Sequence, residues 1–245
     1  MRTHHFRDDV SRFLVHLTRN SERKTAEDHL LEILRNKTLY AKNAHCFISR
    51  RLKDTGFSNL LRSKFNTVCF TETPLSQLSR LTGKIHGRRI WLRPYGLVFS
   101  KQRLLQFGAT PAIYINAQGT YLREYLNSQF DEIFEEVKKW RELRETKSEH
   151  YNVIVQYYSL INVVSKRHNF LWEREWRFHG NFQFNYKDIV ALIAAEPQTF
   201  EKRIGRELGR GNIKHVRNIP IISPSWSYEE VVEAISQKLR SMRSA

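Results

Sequence analysis

Residues 170–184, FLWEREWRFHGNFQF, constrain the fold more than any other stretch of this chain. Most even positions in this stretch carry a large aromatic side chain, whereas the odd positions carry Glu173, Glu175, Arg177 and His179. Side chains of a β-strand alternate between its two faces. The stretch therefore predicts a strand, bent at Gly180, with an aromatic face that packs on a core. Its other face bears carboxylates, a guanidinium and an imidazole.

Hydrophobic periodicity predicts the remaining elements. Strands are expected at 12–18, 68–71, 95–101, 111–116, 189–195 and 212–222, and helices at 25–36, 120–145, 151–165, 199–208 and 227–242. Thr25 with Asp28, and Ser227 with Glu230, have the spacing of capping boxes at helix N-termini. Strands that precede and follow a long helical segment are typical of an α+β fold. We expect one domain over 1–245, with a helical insertion at about 119–166 and a C-terminal helix.

The charge of the chain points to a polyanionic partner. Lys and Arg number 41 and Asp and Glu 25, so the net charge is 41 − 25 = +16. Such a chain attracts RNA or DNA first, an acidic protein second and an anionic membrane third, although a merely basic soluble protein has the same composition. The basic segments are 50–64, 80–93 and 202–217. The candidate nucleic-acid-binding residues are Arg50, Arg51, Arg88, Arg89 and Trp91, whose indole could stack on an unpaired base.

Several common kinds of site have no matching motif in the sequence. The histidines and cysteines lack the tight spacing of zinc ligands, and 205–212 lacks the lysine and hydroxyl of a phosphate-binding loop. No nucleophile elbow is present. We expect no metal, free thiols at Cys46 and Cys69, no membrane partner and a cytoplasmic location.

Three short motifs occur in an order that resembles the ADP-ribosyltransferase fold. They are HLT (16–18), CFTE (69–72) and ERE (173–175). The late stretch is also similar to bacterial abortive-infection proteins of the AbiGi type, through Lys166, Trp172, the EREWR run and DIVALIA (188–194). A weaker similarity, to DarT-like nucleic-acid ADP-ribosyltransferases, depends on the opening His-x-Thr. The resemblance implies a split β-sheet core of the ADP-ribosyltransferase type.

The resemblance also implies a reaction. Cleavage of the nicotinamide–ribose bond of NAD passes through an oxocarbenium-like state, which a carboxylate on the sugar hydroxyl stabilises. Glu175 would take this role, and Glu173, on the same face, would orient or deprotonate the acceptor. The expected NAD contacts are His16, Thr18, Phe70, Tyr95 and Arg177. The acceptor would be nucleic acid, RNA before DNA, and the enzyme would act as a toxin in phage defence, held in check by a neutralising antitoxin protein.

Two other functions remain open from the sequence. AbiGi-type proteins have been described as antitoxins, so the chain could be a non-catalytic nucleic-acid-binding regulator on the same fold. The third hypothesis is a metal-independent ribonuclease, suggested by Arg144 followed by His150 near the end of a helix.

Overall fold

The computed structural model describes residues 10–54, 58–85, 90–118, 120–142, 149–165, 169 and 171–243. Its strands are β1 (Phe13–Arg19), β2 (Thr38–Leu39), β3 (Thr67–Thr71), β4 (Leu92–Ser100), β5 (Thr110–Pro111), β6 (Ile113–Asn116), β7 (Ile161–Val164), β8 (Glu175–His179), β9 (Phe182–Gln183), β10 (Ile189–Ile193) and β11 (Ile221–Ile222). Its helices are α1 (Ala26–Asn36), α2 (Ser49–Asp54), α3 (Asn59–Ser63), α4 (Ser79–Thr82), α5 (Lys101–Phe107), α6 (Tyr121–Glu142), α7 (Glu149–Leu160), α8 (Pro197–Glu207), α9 (Arg210–Val216) and α10 (Tyr228–Arg243). The expected α+β class is confirmed.

A mixed sheet organises the described part of the chain. Seven strands follow the order β11-β10-β4-β1-β3-β8-β5, and β10 and β11 are parallel whereas the central pairs are antiparallel. Two small sheets, β2-β9 and β6-β7, lie outside it. This order places β1, β3 and β8, the strands that carry the three motifs, side by side.

Each face of the sheet is covered by its own set of helices. One face, here called the aromatic face, carries Phe70, Trp176 and Phe178, and it packs against apolar side chains of α1, α5, α8 and α9. The opposite face packs on α4 and α10 near β1 and β4. A third cluster is built from α2, α6 and α7 with β6 and β7. The alternation in 12–18 predicted this division, since Phe13, Val15 and Leu17 lie together in the α10-side cluster.

The backbones of β1 and β4 approach closely at Gly96. A Cβ atom at this position would lie only 2.3 Å from the carbonyl oxygen of His16. Leu17 is the register partner of Gly96, and the ladder shifts between Leu17 and Arg19. The missing side chain is therefore what allows the two strands to pair at this point.

Local signals in the sequence predict helix starts well. Thr25 caps α1, with its side chain accepting from the Asp28 backbone while the Asp28 carboxylate accepts from the backbone N–H of Thr25. Ser227 and Glu230 exchange the same pair of hydrogen bonds ahead of α10. Both predicted capping boxes are confirmed.

Three predicted elements differ from the structure. The helix expected over 151–165 ends at Leu160 and continues as β7. The strand expected over 212–222 is α9 for its first part, and β11 is only Ile221–Ile222. The strand expected over 170–184, with a bend at Gly180, is a 3-10 turn at Leu171–Glu173 followed by β8 and β9, so Trp172, expected in the core, is 46% exposed. The expected bend is confirmed, since β8 ends at His179 and Gly180 has φ 77°.

Candidate functional site

Strand register places His16 and Glu175 on opposite faces of the sheet. Thr71 is opposite Glu175 in the β3–β8 pair and opposite Val15 in the β1–β3 pair. Because residues directly opposite each other in antiparallel strands project to the same face, Glu175 lies on the face of Val15 and not on that of His16. The His16 ring instead contacts Phe70 on the aromatic face, with ring centroids 5.9 Å apart. The two residues expected to meet across NAD are thus separated by the sheet.

His16 and Thr18 bind the protein's own backbone. Nδ1 of His16 lies 2.8 Å from the carbonyl oxygen of Cys69, so this nitrogen carries the proton. Burial lowers the pKa of His16, although the bond to Cys69 opposes the shift, and the ring is held neutral. The Thr18 hydroxyl donates to the carbonyl of Ala26 at 2.8 Å and lies 3.0 Å from that of Tyr95. These contacts fix the entry to α1 against β4.

The two aromatic residues expected to contact NAD lie in the core or at its border. Phe70 is 2% exposed and its ring is enclosed by His16, Phe99 and Phe182. It therefore has no free face for a ligand. The Tyr95 ring packs on Phe200 at 5.9 Å, and burial together with Glu27 raises the pKa of its hydroxyl.

Glu175 and Arg177 form a buried ion pair on the face opposite His16. Arg177 is 1% exposed. Its Nε lies 3.0 Å from Oε1 and its Nη2 lies 3.1 Å from Oε2 of Glu175. The remaining amino group, Nη1, donates to the carbonyl of Ser159 at 2.7 Å. The pair thus joins β8 to the end of α7.

Neutral side chains complete the surroundings of the Glu175 carboxylate. The hydroxyl of Tyr114 donates to Oε2 at 2.8 Å and Nδ2 of Asn162 donates at 3.2 Å. Burial opposes ionisation of Glu175, but Arg177, Cys69 and Tyr114 outweigh it and hold the pKa of this carboxyl below its ordinary value. Burial and the nearby carboxylate raise the pKa of the Cys69 thiol to about 12. The cluster is therefore a buried ion pair in which both carboxylate oxygens of Glu175 accept hydrogen bonds, beside a protonated thiol.

Glu173 does not share the face of Glu175. It ends a 3-10 turn ahead of β8, and the following residue, Arg174, has a left-handed backbone with φ 45°. The carbonyl of Glu173 accepts a hydrogen bond from the Thr71 hydroxyl. The spacing of two suggested a shared face, but strand alternation begins only at Glu175.

A second polar group, at Glu72, was not predicted. The Glu72 carboxylate accepts from the indole Nε1 of Trp176 at 2.7 Å and pairs with Nζ of Lys101 at 2.6 Å. Tyr114 and Asn162, the neutral partners of Glu175, were also missed. A polar residue inside the apolar runs PAIYIN and YSLINVV was the available signal.

An open cleft lies apart from the Glu175 cluster, between the loop after β1 and the start of β4. Its volume is about 660 Å³, and its lining consists of residues 19–23 with Ile90, Trp91 and Arg93. Arg19 is the register partner of Leu92, which explains why the two segments meet.

The cleft combines arginine side chains with an exposed aromatic ring. The guanidinium carbon of Arg93 lies 3.6 Å from the centre of the Trp91 ring, and the Trp91 Nε1 donates to the carbonyl of Thr82 at 3.0 Å. Trp91 is nevertheless 47% exposed. Within the described residues, no carboxylate pairs with Arg19, Arg23 or Arg93. Trp91 was predicted as a nucleic-acid contact. Arg19, the last residue of β1, and Arg23, in the loop that follows, were not predicted.

The other predicted nucleic-acid contacts lie elsewhere. Arg51 is held by Asp131 of α6, with Nε 2.6 Å from Oδ1, and so joins α2 to α6. Arg50 is fully solvent-facing and lies 3.6 Å from Asp54. Arg88 and Arg89 lie outside the described residues, as do Lys166 and Arg144 and the side chain of His150.

No family model, curated protein or solved structure matches the chain. Over the described ranges, no group of three His, Cys, Asp or Glu side chains could hold a metal ion. Among the helices described here, none is both long and apolar enough to cross a membrane.

Proposed function

We propose that this protein binds single-stranded nucleic acid in the cleft formed by residues 19–23 and 90–93. The observation that carries the proposal is the set of three arginines, unpaired within the described residues, around the exposed Trp91 ring. Guanidinium groups attract phosphates, and an accessible indole stacks on an unpaired base. The net charge of +16 adds a long-range attraction to any polyanion.

The contact at Trp91 favours a single strand over a duplex. Stacking needs a base with a free face, and in a duplex both faces are occupied by neighbouring pairs. Arg93 covers the Trp91 ring at 3.6 Å, so a base has the rest of the exposed ring and the outer side of the guanidinium plane as its platform. Arg19 and Arg23, on the facing wall, are then available to the backbone phosphates.

The enzymatic hypothesis stays a prediction from the resemblance. The adjacency of β1, β3 and β8 supports an ADP-ribosyltransferase-like core, since the three motifs lie on these strands or directly at their ends. Two observations favour the non-catalytic alternative on that core. His16 and Glu175 lie on opposite faces of the sheet. The Glu175 carboxylate already accepts hydrogen bonds from Arg177, Tyr114 and Asn162. Roles as toxin or antitoxin remain expectations of the same kind.

Fluorescence anisotropy with labelled oligonucleotides tests the binding proposal. The wild type should bind a single-stranded uridine 12-mer more tightly than a duplex of equal length, with an affinity that falls steeply as salt rises. Trp91→Ala should weaken binding about tenfold through lost stacking, and Arg93→Ala should do the same. Arg50→Ala removes an equal charge at an exposed position outside the cleft and should change the Kd less than twofold. A deoxythymidine 12-mer in parallel distinguishes RNA from DNA.

Equal losses in Trp91→Ala, Arg93→Ala and Arg50→Ala would contradict the proposal, because binding would then follow net charge alone. A parallel incubation with labelled NAD and the same oligonucleotides addresses the enzymatic hypothesis. Label on the nucleic acid that disappears in Glu175→Ala, with the variant still folded, would establish catalysis and refute the non-catalytic assignment.

A further inference from the structure

One carboxylate, that of Glu22, lines the otherwise cationic cleft. Glu22 lies between Ser21 and Arg23 in the loop after β1, and its side chain is exposed. Within the described residues it has no hydrogen-bond or ion-pair partner. A negative charge on this wall repels phosphates and so weakens non-specific binding.

The neighbouring amide has a fixed orientation. Oδ1 of Asn20 accepts from the backbone N–H of Ala26 at 2.9 Å, ahead of α1. The oxygen is therefore committed to the protein and the Nδ2 amino group is the part of Asn20 that can serve a ligand. Asn20 and Glu22 are two positions apart in one loop and line the same cleft. Together they contribute an amide donor and a carboxylate to the lining of this cleft.

This arrangement complements one base. The Watson–Crick edge of guanine presents an acceptor, O6, beside two donors, N1–H and the N2 amino group. A carboxylate can accept both donor hydrogens at once, and a neighbouring amide N–H can reach O6. Adenine has a single donor group on that edge and uracil has one ring N–H, so neither can make both bonds to Glu22. Cytosine offers only its N4 amino group.

We infer that the cleft selects an unpaired guanine, with Glu22 and Asn20 reading its Watson–Crick edge while the base stacks on Trp91. The inference rests on the proposed function, since it names the base that this site prefers. Discrimination between bases by a bidentate contact amounts to about tenfold or more in affinity.

The test uses nine-nucleotide uridine oligomers that carry guanosine, inosine or adenosine at the centre. The wild type should bind the guanosine oligomer about tenfold more tightly than the adenosine one. Inosine lacks the N2 amino group and should give an intermediate Kd. In Glu22→Gln the preference for guanosine should vanish, while the all-uridine oligomer binds at least as tightly as before because a negative charge has been removed.

The inference is overturned if the wild type binds the three oligomers equally, or if Glu22→Gln retains the preference. The affinity of Trp91→Ala for the all-uridine oligomer shows whether only the guanine preference is wrong or whether the cleft is not the binding site at all. If Trp91→Ala weakens it and the base preference is absent, only the guanine reading falls. If Trp91→Ala has no effect, the cleft is not the binding site and both fall.

Discussion

The buried pair of Glu175 and Arg177 gives the sharpest prediction about stability. Glu175→Gln leaves the Arg177 guanidinium, 1% exposed, with the Ser159 carbonyl as its remaining strong acceptor. Removing one partner of a buried ion pair costs about 3–5 kcal/mol. We expect the free energy of unfolding to fall by about 4 kcal/mol in this variant.

The reverse substitution should cost less, because the two partners differ in their surroundings. In Arg177→Met the Glu175 carboxylate, 14% exposed, keeps the hydroxyl of Tyr114 and the amide of Asn162 as donors. We expect a loss of about 2 kcal/mol, the cost of one lost charged partner at a partly hydrated site. The double variant carries neither charge and should lose about 3 kcal/mol, which is about 3 kcal/mol less than the sum of the single losses.

Urea unfolding, followed by tryptophan fluorescence, gives the free energy of unfolding of the wild type, the two single variants and the double variant. An equal m-value in all four proteins shows that their transitions are comparable. The reasoning is refuted if Glu175→Gln costs less than about 1 kcal/mol, or if the two single losses add in the double variant. Either result would mean that the carboxylate is not committed to Arg177. It would then be free for the chemistry that the resemblance suggests.

Two further predictions concern the central strands. Gly96→Ala should destabilise the protein by about 3 kcal/mol or prevent folding, because the new Cβ would lie 2.3 Å from the His16 carbonyl oxygen. The matched control is Gly205→Ala in α8, where nothing lies within 4 Å of the new Cβ. In the same urea assay the control should stabilise the protein by up to about 1 kcal/mol. Burial lowers the pKa of His16 in the folded protein below its unfolded value of about 6.5. The stability that neutral His16 contributes is therefore present above about pH 6.5 and is lost as the pH falls through the pKa of His16 in the folded protein. Between about pH 7 and pH 5, the free energy of unfolding should therefore fall less in His16→Gln than in the wild type. An equal fall in both proteins would show that His16 is not the group responsible.

Local patterns in the sequence predicted the parts of the fold that local interactions determine. The capping box at Thr25 and the alternation along β1 involve residues a few positions apart, and both are confirmed. The strand over 170–184 was predicted too long, because the left-handed backbone of Arg174 interrupts the alternation and no residue type there announces it. The α9 helix was read as strand from a short run that also fits a helical period.

The candidate site depended on contacts between distant segments. The cleft forms because Arg19 pairs in register with Leu92, a relation that spacing along the chain does not encode. The faces on which His16 and Glu175 lie follow from two strand pairings that share Thr71, which is opposite Val15 of β1 and opposite Glu175 of β8. The sequence of each strand by itself does not show whether His16 and Glu175 lie on the same face or on opposite faces. Trp91 could be singled out from composition, since an aromatic in a basic segment is a local signal.

Photo-crosslinking tests the central claim, that the cleft is the nucleic-acid site, most directly. A uridine oligomer with one 4-thiouridine is irradiated in complex with the wild type, and the attached peptides are identified by mass spectrometry. We expect adducts in the segments that contain Arg19–Arg23 and Ile90–Arg93. Adducts confined to the basic helices α8 and α9 or to α2, with none in the cleft, would contradict the account.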